Sequence, residues 1–217
     1  MRPRPRPNPK SGLTALELLL GMSMVVVTFV VAGTALRDGL ATHEGARLQE
    51  VAASKARRGL ERAREELAAA GLATLFPDPF SVLGTDWLVF NEVTGVSGGA
   101  PTWAPTQRLG FEYARDEIDN GVDDDGNGVV DDGLLVLTRD LGLAGEVEVV
   151  LCSSVRELLE GEEPNGEDDN GNGLIDEAGF CARIEGGVLV LRLSTELRNT
   201  KGEVAVATAE TGIDLRN

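Results

Sequence analysis

The sequence from Leu18 to Leu36, LLLGMSMVVVTFVVAGTAL, contains no charged residue and decides how the rest of the chain can fold. As a helix this stretch is about 28 Å long, which is enough to cross the hydrocarbon core of a bilayer. We therefore predict a membrane-spanning helix at 13–36. A secretory signal is the alternative, because Ala32-Gly33-Thr34-Ala35 is a small-residue segment of the kind that is cleaved. The apolar run of such signals is typically shorter, however, at about 7–15 residues.

Charge is distributed unevenly along the chain, which has 20 Lys and Arg against 36 Asp and Glu and a net charge of -16. Residues 1–12, MRPRPRPNPKSG, hold four basic residues and no acid. A basic start followed by an acidic body is typical of a chain divided across a membrane. The acidity also argues against nucleic acid as a partner, because phosphate backbones are bound by clustered Lys and Arg.

Glu17 lies at the margin of the apolar helix, where a carboxylate is costly unless it stays wet near the membrane surface or is paired. The segment Lys10-Ser11-Gly12-Leu13-Thr14-Ala15-Leu16-Glu17 resembles the prepilin signal of type IV pilins and type II secretion pseudopilins. This resemblance implies that prepilin peptidase cuts between Gly12 and Leu13 and that Leu13 becomes the methylated N-terminus. It also implies that Glu17 pairs with the Leu13 amine of a neighbouring subunit during assembly. The family usually has Phe as the first mature residue, and here it is Leu13.

Residues 37–72 are predicted to continue the helix as an amphipathic segment that stops at Gly71. Its apolar positions recur every three or four residues, at Leu48, Ala52, Ala56, Leu60, Ala63, Leu67 and Ala70. The segments Arg47-Leu48-Gln49-Glu50 and Glu65 to Gly71 are more loosely similar to W-type minor pilins and J-type pseudopilins. The two resemblances together cover roughly residues 12–72.

The rest of the chain, 73–217, is predicted to form a β-rich head, so the fold class is α+β. Short runs of branched apolar residues alternate with polar ones, as expected for half-buried antiparallel strands on which the long helix packs. The resemblance implies a pilin-like version of this layout. Ser97 to Pro101 is predicted to be an exposed loop. The predicted strands are Trp87–Phe90, Leu109–Tyr113, Leu134–Thr138, Val147–Leu151, Val188–Leu193 and Val204–Thr208.

The head contains an internal repeat, in which residues 120–132 (NGVDDDGNGVVDD) align without a gap to residues 165–177 (NGEDDNGNGLIDE). Both copies match the first nine positions of an EF-hand calcium loop, with oxygen ligands at positions 1, 3 and 5 and a glycine at 6. Position 12, where an EF-hand has a bidentate Glu, is Leu134 in one copy and Gly179 in the other. The copies therefore are not EF-hands, and they resemble the acidic loops of dockerin and thrombospondin type 3 modules.

We accordingly predict two Ca²⁺ ions in acidic loops at 116–133 and 162–177, because closely spaced carboxylates repel one another without a cation. The alternative is a pair of disordered loops that only increase solubility. The predicted ligands, with backbone carbonyls at Val129 and Leu174, are Asp119, Asp123, Asp125, Asn127, Val129 and Asp131 in the first copy, and Asp168, Asn170, Asn172, Leu174 and Asp176 in the second.

Cys152 and Cys181 are the only cysteines and bracket the second acidic loop. Beyond an inner membrane they would meet an oxidising compartment, so we predict a disulfide between them. The rival interpretation, a catalytic thiol, lacks a His partner, because the single His43 should lie near the membrane. The sequence also lacks the motifs of hydrolases, nucleotide-binding folds and zinc enzymes, so we expect a protein that is not an enzyme.

These observations lead to one expectation for function, a minor pilin or pseudopilin that is stabilised by calcium. Its location would be the inner membrane, which it would cross once, with the head periplasmic or, in the assembled filament, extracellular. Its partners would be prepilin peptidase and, through the N-terminal helix, other pilins or pseudopilins. The competing hypothesis is a membrane-tethered, calcium-binding adhesion or interaction module that does not polymerise.

Overall fold

The computed structural model describes residues 14–77 and 84–215. The predicted cleavage site at Gly12 and Leu13 lies outside the described residues. The chain divides into two units, Met1–Glu44 and Gly45–Asn217, and one helix, α1 (Ala15–Leu67), contributes residues to both.

In the first unit, α1 presents apolar side chains to its surroundings, and every side chain described between Thr14 and Leu40 is exposed. Ser23, Thr28 and Thr34 donate their hydroxyl hydrogens to helix carbonyls three or four residues earlier, at 2.8–2.9 Å. These bonds satisfy the hydroxyls without water, as a lipid environment requires. By length and composition, α1 is long and apolar enough to cross a membrane.

Thr14 and Glu17 form a capping box at the start of α1. The Glu17 N–H donates to Thr14 Oγ1 at 3.3 Å, and Glu17 Oε2 accepts from the Thr14 N–H at 2.9 Å. The Thr14 hydroxyl donates to the same carboxylate oxygen at 2.9 Å. Two backbone N–H groups that the helix leaves without partners are thereby satisfied. The T-x-x-E spacing was a signal for this cap, and our sequence analysis missed it.

In the second unit, α1 buries a stripe of small and apolar side chains, as its spacing predicted: Ala52, Ala56, Leu60, Ala63 and Leu67. The helix ends at Leu67, four residues before the predicted stop at Gly71, and a short 3-10 turn (Leu72–Thr74) follows. Gly71 instead leaves room for the Trp103 ring, with which a Cβ at this position would clash.

The β-rich part of the second unit is an antiparallel sheet of seven strands. Six of them follow the order β1-β4-β5-β6-β8-β7, and the seventh, β9, also pairs with β8. A separate antiparallel hairpin is formed by β2 and β3. The strands are β1 (Trp87–Phe90), β2 (Val93–Ser97), β3 (Ala100–Trp103), β4 (Gln107–Tyr113), β5 (Gly133–Arg139), β6 (Val147–Val155), β7 (Phe180–Glu185), β8 (Val188–Arg198) and β9 (Val204–Ile213).

The core of this unit lies between α1 and the inward face of the sheet. Leu60, Ala63 and Leu67 from the helix pack in one buried cluster with leucines of β1, β4, β5 and β8. An isolated bridge, in which Thr85 and Ala182 exchange backbone hydrogen bonds of 3.0 and 2.8 Å, joins the segment before β1 to β7. The expected α+β class, a long N-terminal helix with an antiparallel sheet, is thus confirmed.

All six predicted strands are present, and β4, β5, β6, β8 and β9 extend beyond the predicted bounds. Three further strands were not predicted. The hairpin β2–β3 includes the exposed loop that we expected, and Gly98 and Gly99 form its turn. Its two strands were not predicted because they are too exposed to show an alternation of buried and exposed residues. In β7 the alternation exists, with Phe180 and Ala182 facing the core, and we had not recognised it.

Candidate cation sites in two repeated loops

The two acidic repeats are long connections that leave the same end of the sheet. The first loop (114–132) joins β4 to β5, and the second loop (156–179) joins β6 to β7. Gly133, the first residue of β5, pairs with both Tyr113, the last residue of β4, and Val155, the last residue of β6. The sheet therefore brings the bases of both loops together.

Each loop contains the same hydrogen-bond network, and equivalent residues are 45 positions apart, as Asp123 and Asp168 are. Asp123 accepts the Gly126 and Gly128 N–H groups, each at 2.8 Å, and Asp168 accepts the equivalent Gly171 and Gly173 N–H groups at 2.7 and 2.8 Å. The sequence repeat is therefore a structural repeat, built on carboxylates that fold the backbone around themselves.

The ninth-position acids, Asp131 and Asp176, close each loop in the same way. Asp131 accepts the Asn120 and Gly121 N–H groups at 3.2 and 2.7 Å, and Asp176 accepts the equivalent two groups at 3.2 and 2.8 Å. Both acids have a left-handed backbone, with φ of 48° and 47°. Such a conformation in a non-glycine residue is uncommon and indicates a locally enforced turn.

The apolar residue that anchors each loop is at the seventh position. Val129 is 5% exposed and Leu174 is fully buried. The next residues, Val130 and Ile175, are exposed. Backbone N–H groups of Val129 and Leu174 bond to the side-chain oxygens of Asn127 and Asn172 at 2.8 and 2.9 Å, so these two predicted ligands also shape the turn.

A carboxylate cluster lies at the base of the first loop, where ligand oxygens of the buried Glu117 and Asp132 and of the exposed Asp125 all lie within 4.8 Å of one another. Glu117 Oε1 accepts the Asp125 N–H at 2.7 Å, whereas its Oε2 is buried and has no hydrogen-bond partner. Burial raises the pKa of Asp132, a shift that the Asn127 hydrogen bond opposes and the charges of Asp125 and Glu117 reinforce.

The second loop repeats this arrangement with Glu162, Asn170 and Glu177. Glu162 Oε1 accepts the Asn170 N–H at 3.0 Å, and Glu177 Oε1 accepts from the side-chain amides of Asn170, at 3.2 Å, and of Asn172. Oε2 of Glu162 and Oε2 of Glu177 are both buried without a partner. Two residues differ: Asn170 stands where the first loop has Asp125, and Glu177 stands where it has Asp132.

A second acidic cluster joins the two loops, with ligand oxygens of Asp119, Asp131 and Glu157 within 4.8 Å of one another. The Tyr113 hydroxyl donates to Glu157 at 3.3 Å. Burial, reinforced by the charge of Asp119, raises the pKa of Glu157. This cluster has no equivalent in the second loop, because Pro164 stands at the position of Asp119.

The structure thus distributes the predicted ligands over different environments. Asp125 lies with Glu117 and Asp132 at the base of the first loop, Asp119 and Asp131 lie in the joining cluster, and Asp123 caps backbone N–H groups. Four buried acids were not predicted as ligands, although they recur at the same 45-residue offset and so carried a signal in the sequence: Glu117, Asp132, Glu162 and Glu177. Glu157 has no counterpart in the repeat.

All-oxygen donors are the chemistry that Ca²⁺ prefers. The orphaned carboxylate oxygens of Glu117, Glu162 and Glu177 are the kind of atom that a bound cation would satisfy, so the residues present fit the predicted metal.

The predicted disulfide is absent, and both cysteines are free thiols. Cys152 belongs to the core cluster, where its Sγ lies 3.7 Å from the Lys55 carbonyl oxygen of α1. Cys181 lies between Phe180 and Ala182, which face that core, so its side chain points to the opposite face of the sheet. Their separation across the sheet prevents the two sulfur atoms from meeting.

No protein-family model matches this chain, and comparisons with curated proteins and with solved structures give no match.

Proposed function

We propose that this protein is a minor pilin or pseudopilin, a non-enzymatic structural subunit of a type IV pilus or of a type II secretion pseudopilus. One observation carries the proposal: α1 starts as an exposed apolar segment, uncharged from Leu18 to Leu36, and continues into the core of a folded β-rich unit. Such a helix can anchor the protein in lipid before assembly and bury the same apolar surface against neighbouring helices afterwards. On this proposal, the protein crosses the inner membrane once, with its β-rich unit periplasmic or, in the filament, extracellular.

The chemistry of the apolar segment supports a bilayer location. Its hydroxyl groups are satisfied within the helix, and Glu17 is the only charged side chain from Thr14 to Leu36. A carboxylate in a membrane-spanning segment is costly, so its presence at position 17 supports a functional role for the negative charge. Pairing with the amine of a neighbouring Leu13 would supply that function and would fix the axial position of each subunit.

Calcium binding in the two loops is part of the same proposal. The carboxylates repel one another when no cation is present, so an ion that binds only the folded state would stabilise the β-rich unit by mass action. The hydrogen-bond network repeated in the two loops supports ion binding over a role in solubility alone, because it places equivalent carboxylate oxygens in the same way in both loops.

The capping box favours a second candidate, a membrane-tethered adhesion or interaction module that binds calcium and never polymerises. In that case, Glu17 would serve only to cap α1, with Thr14 as its partner. A conventional membrane anchor would need no cleavage at Gly12.

The N-terminus of the mature protein distinguishes the two candidates. We expect protein purified from native membranes to begin at Leu13 and to carry an N-methyl group, as intact-mass and N-terminal peptide mass spectrometry would show. A chain that still begins at Met1, or one cut after Ala35, would contradict the pilin proposal. A Gly12→Val variant is the matched control, because it should keep the leader while still inserting into the membrane.

A further inference from the structure

We propose that the cation in each loop is held by the side chains gathered at its base. In the first loop these are the buried Glu117 and Asp132 with the exposed Asp125, and in the second the buried Glu162 and Glu177 with the exposed Asn170. This inference rests on the calcium binding proposed above and names its ligands. It differs from the EF-hand-like set, in which Asp123 and Asp168 would be the leading ligands.

Unpartnered oxygens are the first argument. Among the described residues, four buried side-chain oxygen or nitrogen atoms lack a hydrogen-bond partner, and three of them belong to Glu117, Glu162 and Glu177. These three side chains are only 3–5% exposed. Burying a polar oxygen without a partner typically costs about 1–3 kcal/mol, and more for a charged group. A cation among these carboxylates would remove that cost.

The repeat is the second argument. The orphaned oxygen of Glu117 recurs at Glu162, 45 residues later, on a side chain whose other oxygen makes the same backbone bond in both loops. In each loop the glutamate thereby fixes the backbone of the third-position residue, Asp125 or Asn170. One oxygen positions the loop, and the other remains available to a ligand.

The acids at the first EF-hand-like position are engaged differently. Both oxygens of Asp123 accept loop N–H groups, and so do both oxygens of Asp168. Carboxylate oxygens that already accept charge-assisted bonds from the backbone are partly neutralised. Glu117 and Glu162 each have a buried oxygen without such a bond, so they are the stronger candidates.

The two sites should differ in affinity. The first loop offers three carboxylates, from Glu117, Asp125 and Asp132, whereas the second offers two, because Asn170 supplies an uncharged amide oxygen. Ligand charge is one of the variables that set calcium affinity in such loops. The first loop should therefore bind Ca²⁺ more tightly, and the second should fill at higher concentration.

The test is calcium titration of the full-length protein in detergent, by calorimetry after removal of metal with chelator. We expect two binding steps for the unaltered protein. Glu117→Gln should weaken the tighter step by more than about tenfold, and Glu162→Gln should weaken the other. Asp124→Asn is the matched control, because it removes an exposed carboxylate from the same loop and should leave both steps in place.

Thermal melting supplies a readout that a merely structural role would not reproduce. Gln keeps the Oε1 atom that accepts the backbone N–H and removes the unpaired buried charge. In chelator, the double variant Glu117→Gln/Glu162→Gln should therefore melt no lower than the unaltered protein, while the rise in melting temperature on adding Ca²⁺ should disappear. A variant that melts lower in chelator and still responds to Ca²⁺ would show a structural role and overturn the assignment.

The outcomes separate this inference from the proposal on which it rests. If the unaltered protein takes up no Ca²⁺, both the calcium role and the ligand assignment are wrong. If it binds two ions, and the double glutamine variant binds them with unchanged affinities while Asp123→Asn and Asp168→Asn do not, the assignment alone is wrong.

Discussion

The carboxylate of Glu17 has two possible partners, and they can be separated with two substitutions. Glu17→Ala removes both the charge and the cap, whereas Glu17→Gln removes the charge but keeps a side chain able to reach the Thr14 N–H. If the charge pairs with a neighbouring Leu13 amine, both variants should insert into the membrane. Both should also lower the fraction of the protein recovered in filaments, by at least about tenfold, because breaking a buried ion pair is strongly destabilising. Quantitative immunoblotting of sheared filaments and of membranes measures this.

A different pattern would assign Glu17 to the helix cap alone. If Glu17→Gln assembles like the unaltered protein and only Glu17→Ala fails, the hydrogen bond to Thr14 and not the negative charge supports assembly. The Ala variant should then also show a frayed first turn, which amide hydrogen exchange at the start of α1 would detect.

Helix α1 approaches the sheet closely at Gly59, where the packing of the helix on the strands can be tested. A Cβ built at Gly59 would lie 2.8 Å from both the Cys152 Cβ and a Leu193 methyl carbon, so Gly59→Ala should overpack the core. We expect the free energy of unfolding to fall by about 1–3 kcal/mol. Gly45→Ala, in the same helix with no atom within 4 Å, should instead raise it by about 0.5–1 kcal/mol. Urea titration followed by the fluorescence of Trp87 and Trp103 measures both.

A result with the opposite order would contradict the packing argument. If Gly59→Ala is as stable as Gly45→Ala, the strands near Cys152 and Leu193 can move away from α1 at little cost. The close approach would then be a consequence of the small side chains along the helix and not a requirement of the fold.

Sequence patterns were sufficient for α1 and for six strands, although burial does not alternate along all of them: the first four residues of β6, Val147 to Val150, are all exposed. They were insufficient for β2 and β3, whose strands are too exposed for a pattern. The repeat located both acidic loops but not the buried members of the clusters. Which carboxylates become buried depends on how each loop folds back on the end of the sheet. In the sequence, only the recurrence at the 45-residue offset distinguishes Glu117 and Glu162 from their neighbours.

The stability of the whole molecule should depend on pH through its free thiols. Burial, reinforced by the charge of Glu177, raises the pKa of Cys181 to about 11, whereas an unfolded thiol titrates near 8.5. Between these values the unfolded chain releases a proton that the folded chain retains, so unfolding becomes more favourable as pH rises. The contribution of Cys181 is fully present below about pH 8 and is lost by about pH 11, a change of up to about 3 kcal/mol.

The measurement is the free energy of urea unfolding between pH 7.5 and 11, for the unaltered protein and for Cys181→Ala under reducing conditions. Other groups titrate in this range, among them Lys55, whose pKa is lowered by burial, so the difference between the two proteins is the quantity that isolates Cys181. We expect the variant to be the less stable protein at pH 7.5, because it lacks a buried side chain, and this deficit should narrow as pH rises. If the difference in unfolding free energy between the two proteins stays constant to pH 11, Cys181 ionises as readily in the folded protein as in the unfolded chain. Its side chain would then have to be less buried than the structure shows.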